Sequence, residues 1–478
     1  MGVTFLAAAA KPVRDRSAML TNGPILKNLL LFALPVVMGN LFTQFYNLAD
    51  SIVVGQFVSS DALAAVGASF AIQMVVNSMF AGLGNGASIL VSQYIGARDN
   101  EKVGRTVATT FTLAIILGAV LTVVGMLAAR PMMELIQTPK NIIDDATSYL
   151  VIVFAGSIGH LFYNMGNALL RGMGDSKSPF AILVFCTVLN IGLDLLFVIV
   201  FHWDVPGVAW ATIIAQTVSA ALVVWRIARG SYGVKLSRKT LRIDWHLAKK
   251  IAGIGVPVAL QMMMMSSGMV VIQSFVNGFG SDVMAANTSV MKVDGFVMQP
   301  LMGFSQALTT FVGINLGARK LQRVKAGTWR AAVVVIGFAL VMAVPLYLWG
   351  GYTIRLFTDN ETVIRLGGEM LKVMAFFYVF MGLNHCFTGV VRGAGAMTVP
   401  MFITLLGMLI RIPLAYWLGT LQNDYLGIQY SMNIANILNA LLVFLYYLSG
   451  RWKKKSVIDQ EIAPVPIPEP AEIAALED

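Results

Sequence analysis

Charge is what this chain has least of. Only 12% of its 478 residues are Asp, Glu, Lys or Arg, against 57% hydrophobic residues, whereas soluble domains carry about 25% charged residues. That excludes a water-soluble protein of this length, because half the polar coat it would need is missing. Cysteine is nearly as scarce. Cys186 and Cys386 are the only two, and both fall inside apolar runs, so no disulfide framework is encoded. The four histidines, His160, His202, His246 and His385, make no metal-ligand spacing, and no nucleophile–base arrangement is visible. The chain therefore does not read as an enzyme. A Gly-x-x-x-x-Gly-Lys-Ser/Thr loop is also absent, so ATP is not the direct energy source and no organic cofactor is expected.

What is present is a long series of apolar runs. A bilayer core takes roughly 20 apolar residues per helix. Twelve such runs lie near 28–57, 62–95, 103–128, 146–169, 179–201, 206–228, 249–277, 283–316, 329–349, 362–390, 399–421 and 428–450. The charges between them alternate. Loops after even-numbered runs are basic, as in Arg98, Lys102 and Arg105, in Arg171 and Lys177, in Arg226–Lys250 and in Arg319–Arg330; loops after odd-numbered runs hold only Arg130, Lys140, Arg355 and Arg365. The positive-inside rule then puts both termini in the cytoplasm and requires an even number of spans. This fits a multi-pass protein of the inner (plasma) membrane. The formal charge of +10 marks the cytoplasmic side and its anionic lipid rather than a nucleic-acid partner.

The chain also repeats itself. Gly96-Ala97-Arg98 returns as Gly317-Ala318-Arg319, and Arg171-Gly172-Met173-Gly174 as Arg392-Gly393-Ala394-Gly395, both at an offset of 221 (317 − 96 and 392 − 171). Pro35 and Pro257 are one residue further apart. The expected fold is an all-α membrane protein of twelve transmembrane helices in two six-helix pseudo-symmetric bundles, a plan typical of secondary transporters. Its expected parts are a basic arm (1–27), an N-terminal lobe (28–228), a basic linker (229–248), a C-terminal lobe (249–450) and a disordered tail (451–478) rich in proline and acids.

Ionisable or strongly polar side chains within such spans are costly, about 2.5–3.5 kcal/mol for a charge, and mark pathways or structural pairs. Asn40, Gln44, Asn47 and Ser51 form a polar stripe on the first helix, bordered by Asp50 and Tyr46. Thr187, Asn190 and Asp194 stack on the fifth helix, Thr212 and Gln216 on the sixth, and Ser69, Gln73 and Asn77 on the second. The C-terminal half offers Met262–Met265 and Met269, Lys292, Asp294, Asn384, His385 and Arg411. Asp294 and Arg411 are expected to form a structural ion pair. Gln44, Tyr46, Asn47, Gln73, Asn77, Met265, Asp294 and His385 are the candidate substrate-cavity residues. At the repeat offset Asp194 is matched by Ala415 and Asn190 by Arg411, so the acidic site is expected in the N-terminal half alone.

The run Asn47-Leu-Ala-Asp-Ser-Ile-Val-Val-Gly55, the Gly-Ala-Arg and Arg-Gly-x-Gly pairs and Asn190-x-x-x-Asp194 together resemble the multidrug and toxic compound extrusion (MATE) transporters. That resemblance implies V-shaped lobes and ion-coupled export of organic, often cationic and amphipathic compounds. It further implies that Asp50, Asn190, Asp194 and Thr212 hold the coupling ion. Two carboxylates in a low dielectric do not both ionise readily, so the pair would respond to protons, and the same oxygens suit Na+. The expected coupling ion is H+ or Na+, the partners are small organic molecules and the lipid bilayer, and the protein is expected to act as a monomer. A lipid-linked oligosaccharide flippase of the same superfamily is the alternative.

Overall fold

The computed structural model describes residues 16–230 and 242–458, apart from the side chains of several residues within 16–18, 47–56, 60 and 71. Residues 1–15 of the expected arm, 231–241 of the expected linker and 459–478 of the expected tail lie outside the described residues. The described chain is helical throughout. A short α1 (Arg16–Thr21) leads into α2 (Ile25–Phe57), α3 (Ser60–Gly96), α4 (Asn100–Leu135), α5 (Ile143–Ala155), α6 (Ser157–Gly172), α7 (Lys177–Leu195) and α8 (Asp204–Arg229). The second half runs through α9 (Trp245–Asn277), α10 (Ser281–Gly317), α11 (Leu321–Arg355), α12 (Glu361–Gly393), α13 (Thr398–Ala415) and α14 (Tyr425–Leu448).

Ten of these helices are long and apolar enough to cross a membrane, and α5 with α6, bent by 58° at Gly156, meets the same length and apolarity only as a pair. The bend has a packing cause: a Cβ at Gly156 would lie 2.4 Å from Ile213 Cγ2, so α8 presses into the break. The one expected span left over is the eighth, 283–316, which is α10. It has the length, at 37 residues, but falls short in apolarity, since it carries Asn287, Lys292, Asp294 and Gln299 along its middle.

The sequence repeat is a structural repeat. Helix α7 ends in a π-helical turn, Leu196–Val200, and α13 ends in another, Tyr416–Leu421. Such wide turns are uncommon and frequently lie beside functional sites. Between the halves, α3 packs along α9 and α2 along α10. Contact is closest at the end of the bundle that carries the Gly-Ala-Arg turns. A Cβ on Gly96 would lie 2.0 Å from the Ile314 carbonyl oxygen, and one on Gly317 would lie 2.0 Å from that of Gln93. Only glycine permits this approach, and the two positions are repeat-mates.

Side chains reinforce the same end. Gln93 donates through Nε2 to the Gly393 carbonyl (2.9 Å) and accepts from the Val457 N–H (2.9 Å). Residues 451–458, expected as the start of a structureless tail, instead fold back, beginning with a short 3₁₀ turn, Arg451–Lys455. Trp452 anchors it, stacked on Tyr447 and donating through its indole N–H to the Tyr447 carbonyl (2.8 Å). The prolines that suggest disorder all lie later, beyond Ile458.

One ion pair fixes the turn between α6 and α7. Asp175, fully buried, accepts from Arg226 Nη2 (2.8 Å) and from the Ser178 hydroxyl (2.7 Å) and backbone N–H (3.0 Å), while Arg226 Nε donates to Ser178 Oγ (2.9 Å). Removing one member of such a pair strands the other. Asp175→Ala is expected to cost about 3 kcal/mol, measured as a lower thermal unfolding midpoint in detergent. An unchanged midpoint would mean that Arg226 finds water instead.

Candidate functional site

Helix α7 is buried along the face that carries Thr187, Asn190 and Asp194. Both Asn190 and Asp194 are fully buried, and the Asn190 amide has no hydrogen-bond partner among the described residues. Helix α8 packs against this helix and carries Thr212, whose hydroxyl donates to the Val208 carbonyl one turn earlier (3.0 Å). A carboxylate buried this way in a membrane span needs a bound cation, a proton or donated hydrogen bonds. In the other half the matching position, Ala415, is equally buried and immediately precedes the second π-helical turn. Asp50 lies on the helical backbone of α2, but its side chain and those of Asn47 and Ser51 are outside the described residues.

A cavity of about 260 Å³ opens between α2, α6, α7 and α8. It departs from the expected wall in three ways. On α2 the lining face is Val36, Gly39, Thr43 and Tyr46 with Asn40, turned by about one residue (100°) from the stripe of Asn40, Gln44 and Asn47. Gln44 is exposed and does not line it, and neither do Gln73 or Asn77. On α7 the cavity reaches Cys186 and Thr187; Asp194 lies seven residues on, about 10 Å of helical rise away. The third departure is α6, which supplies His160, Tyr163, Asn164, Asn167 and Arg171. Four of these are spaced 4, 3 and 4, the arithmetic that marks the stripe on α2. Counting Arg171 with the basic loops hides that face.

His160 is held in a neutral arrangement. Its Nδ1 lies 2.8 Å from Gln216 Oε1, which only accepts, and Asn164 Nδ2 approaches Nε2 at 3.1 Å as a donor. Arg171 is therefore the charged group of the described lining, and that lining holds no carboxylate. Asp194 is not part of that lining, and the side chain of Asp50 is outside the described residues.

The candidates of the C-terminal half lie on three helices, α9, α10 and α12, and none of them lines this cavity. Met265 is 51% exposed on α9. His385, on α12, is half-buried, and its carbonyl accepts from the Ser305 hydroxyl (2.7 Å). The expected Asp294–Arg411 ion pair is not formed among the described residues. Asp294 faces Tyr378 of α12, and the Nε of Arg411 has no partner among the described residues. Lys292, two residues from Asp294, sits over the Phe357 ring at 5.3 Å. The helices turn Asp294 toward Tyr378 rather than Arg411, which spacing along the chain does not show.

Known proteins share this arrangement. A family model described as MatE matches residues 35–196 and again residues 257–417, one match per repeat. The probable multidrug resistance protein YpnP of Bacillus subtilis is 30% identical over 446 residues, covering 92% of this chain and 99% of that one. The probable multidrug resistance protein NorM of Thermotoga maritima is 26% identical over 445 residues, or 91% and 95% of the two chains. Among solved structures, the outward-facing conformation of a multidrug resistance MATE family transporter of the MOP superfamily superposes with a TM-score of 0.85 at 24% identity, over 93% of this chain and all of that one. With two MatE units in register on a two-lobe helical fold, this chain belongs to the MATE family of multi-pass membrane transporters.

Proposed function

We propose that this protein is an antiporter of the inner membrane, exporting organic, chiefly cationic and amphipathic compounds in exchange for H+ or Na+. Asp194 carries the reading. A fully buried acid on a membrane-crossing helix, beside an unpartnered Asn190 amide and absent from the repeat-mate Ala415, is the mark of a site for one cation. Thr212 on the adjoining helix and Asp50 on α2 complete the proposed set. The basic loops favour cytoplasmic termini.

Alternation between two lobes around a central cavity supplies the exchange. The incoming cation neutralises the Asp50/Asp194 pair and removes the charge that favours a cationic substrate. Purified protein in proteoliposomes is expected to expel ethidium under an inward proton gradient or an inward sodium gradient, and the gradient that works identifies the ion. No efflux under either gradient overturns the antiport reading.

A further inference from the structure

The two halves treat the same arginine differently. In the C-terminal half, Arg392 at the end of α12 donates through Nη2 to Gln261 Oε1 of α9 (2.8 Å), and Gln261 is itself anchored by donating to Thr404 Oγ1 of α13 (2.7 Å). Gln261 stands four residues after Pro257; four residues after Pro35, its repeat-mate, stands Gly39. So the arginine at the end of α6, Arg171, lacks the side chain to which its twin donates. No hydrogen bond or ion pair reaches its guanidinium from the described residues, and it faces the cavity. An arginine with five donors, recessed from bulk water, is a strong site for a planar oxyanion.

The rest of the wall suits an amphipathic carrier of that oxyanion. Tyr46, Tyr163 and Phe180 offer aromatic faces, His160 is neutral, and Asn40 and Asn164 offer amides. We propose that Arg171 is the anchor of an oxyanion subsite within the cavity, so that the transporter takes molecules carrying a carboxylate or phosphate group, zwitterions included. This deepens the efflux reading and rests on it for the cavity's role in transport. The subsite itself is read by binding, without any gradient, so a failure of coupled efflux and a failure of this subsite are separate results.

The test uses a rhodamine with a free carboxylate and its ethyl ester, two dyes that differ only in that group. Both are titrated onto the full chain in nanodiscs of phosphatidylcholine, then of phosphatidylcholine with phosphatidylglycerol. The wild type is expected to prefer the acid. Arg171→Gln is expected to weaken acid binding about tenfold while moving ester binding less than about twofold. Gly39→Gln is expected to reproduce that loss with the arginine still in place. A Cβ at Gly39 meets only Leu183 and Phe180 at ordinary contact distances of 3.7 and 3.8 Å, so the first carbon of the new side chain is accommodated. A wild-type preference that fades in phosphatidylglycerol, with no such fading in Arg171→Gln, assigns the oxyanion to a lipid headgroup; a preference indifferent to lipid assigns it to the transported compound. Equal acid-to-ester ratios for wild type and Arg171→Gln in both lipids overturn the subsite.

Discussion

Asp194→Asn is expected to reduce gradient-driven efflux to the rate seen with no gradient, while leaving the protein as stable as the wild type or more so. The two halves of that result come from one substitution of nearly equal shape. Asparagine fills the same buried space on α7, but it neither takes up a proton nor carries a formal charge for Na+. A ligand shifts a two-state equilibrium only by its differential affinity, and carrying a transporter from 1:99 to 99:1 takes about 5.5 kcal/mol. A neutral amide does not supply that. Burying an amide also costs less than burying a carboxylate, so thermal stability in detergent is expected to hold. Efflux in proteoliposomes and the unfolding midpoint are measured on the same preparation. Efflux at the wild-type rate would remove Asp194 from coupling, and a collapsed midpoint would make it a structural acid instead.

The helices are legible from the sequence because hydropathy and loop charge report on the bilayer, which acts on every span alike. That legibility ends where a helix answers to its neighbours. Helix α10 crosses the bundle with a polar middle, because much of its surface meets α2, α3 and α12 rather than lipid. The bend at Gly156 depends on Ile213, 57 positions away along the chain (213 − 156). The site shows the same division. The buried face of α7 is visible as Thr187, Asn190 and Asp194, a stack of polar residues on an apolar helix. The face of α6 carries an equal signal in His160, Asn164, Asn167 and Arg171, yet its arginine has an adequate explanation as a topology charge. Asp294 and Arg411 mislead the other way. Opposite charges suggest a pair, but α10 directs Asp294 toward Tyr378.

Gly317→Val is expected to open the end of the bundle that this structure holds closed. The first side-chain carbon added at Gly317 would lie 2.0 Å from the Gln93 carbonyl oxygen, and its repeat-mate Gly96 is as tightly placed against Ile314. Both obstacles are backbone, so no rotamer change relieves them and the helix ends must part. Overpacking of this kind costs typically about 1–3 kcal/mol, and each 1.4 kcal/mol is about a tenfold change in population. The closed arrangement is thus expected to lose about fivefold to a hundredfold relative to one opened on the Gly-Ala-Arg side. Cys186 reports this directly, since it lies on the cavity wall. With Cys386→Ser as background, a membrane-impermeant maleimide in inside-out vesicles should label Cys186 several-fold faster in Gly317→Val than in its parent. Gradient-driven efflux should fall together with that gain, because a transporter that cannot close this end cannot complete its exchange. Gly317→Ala, which adds the carbon but not the branches, should lie between the two. Labelling and efflux both at parental rates would show that the lobes close elsewhere.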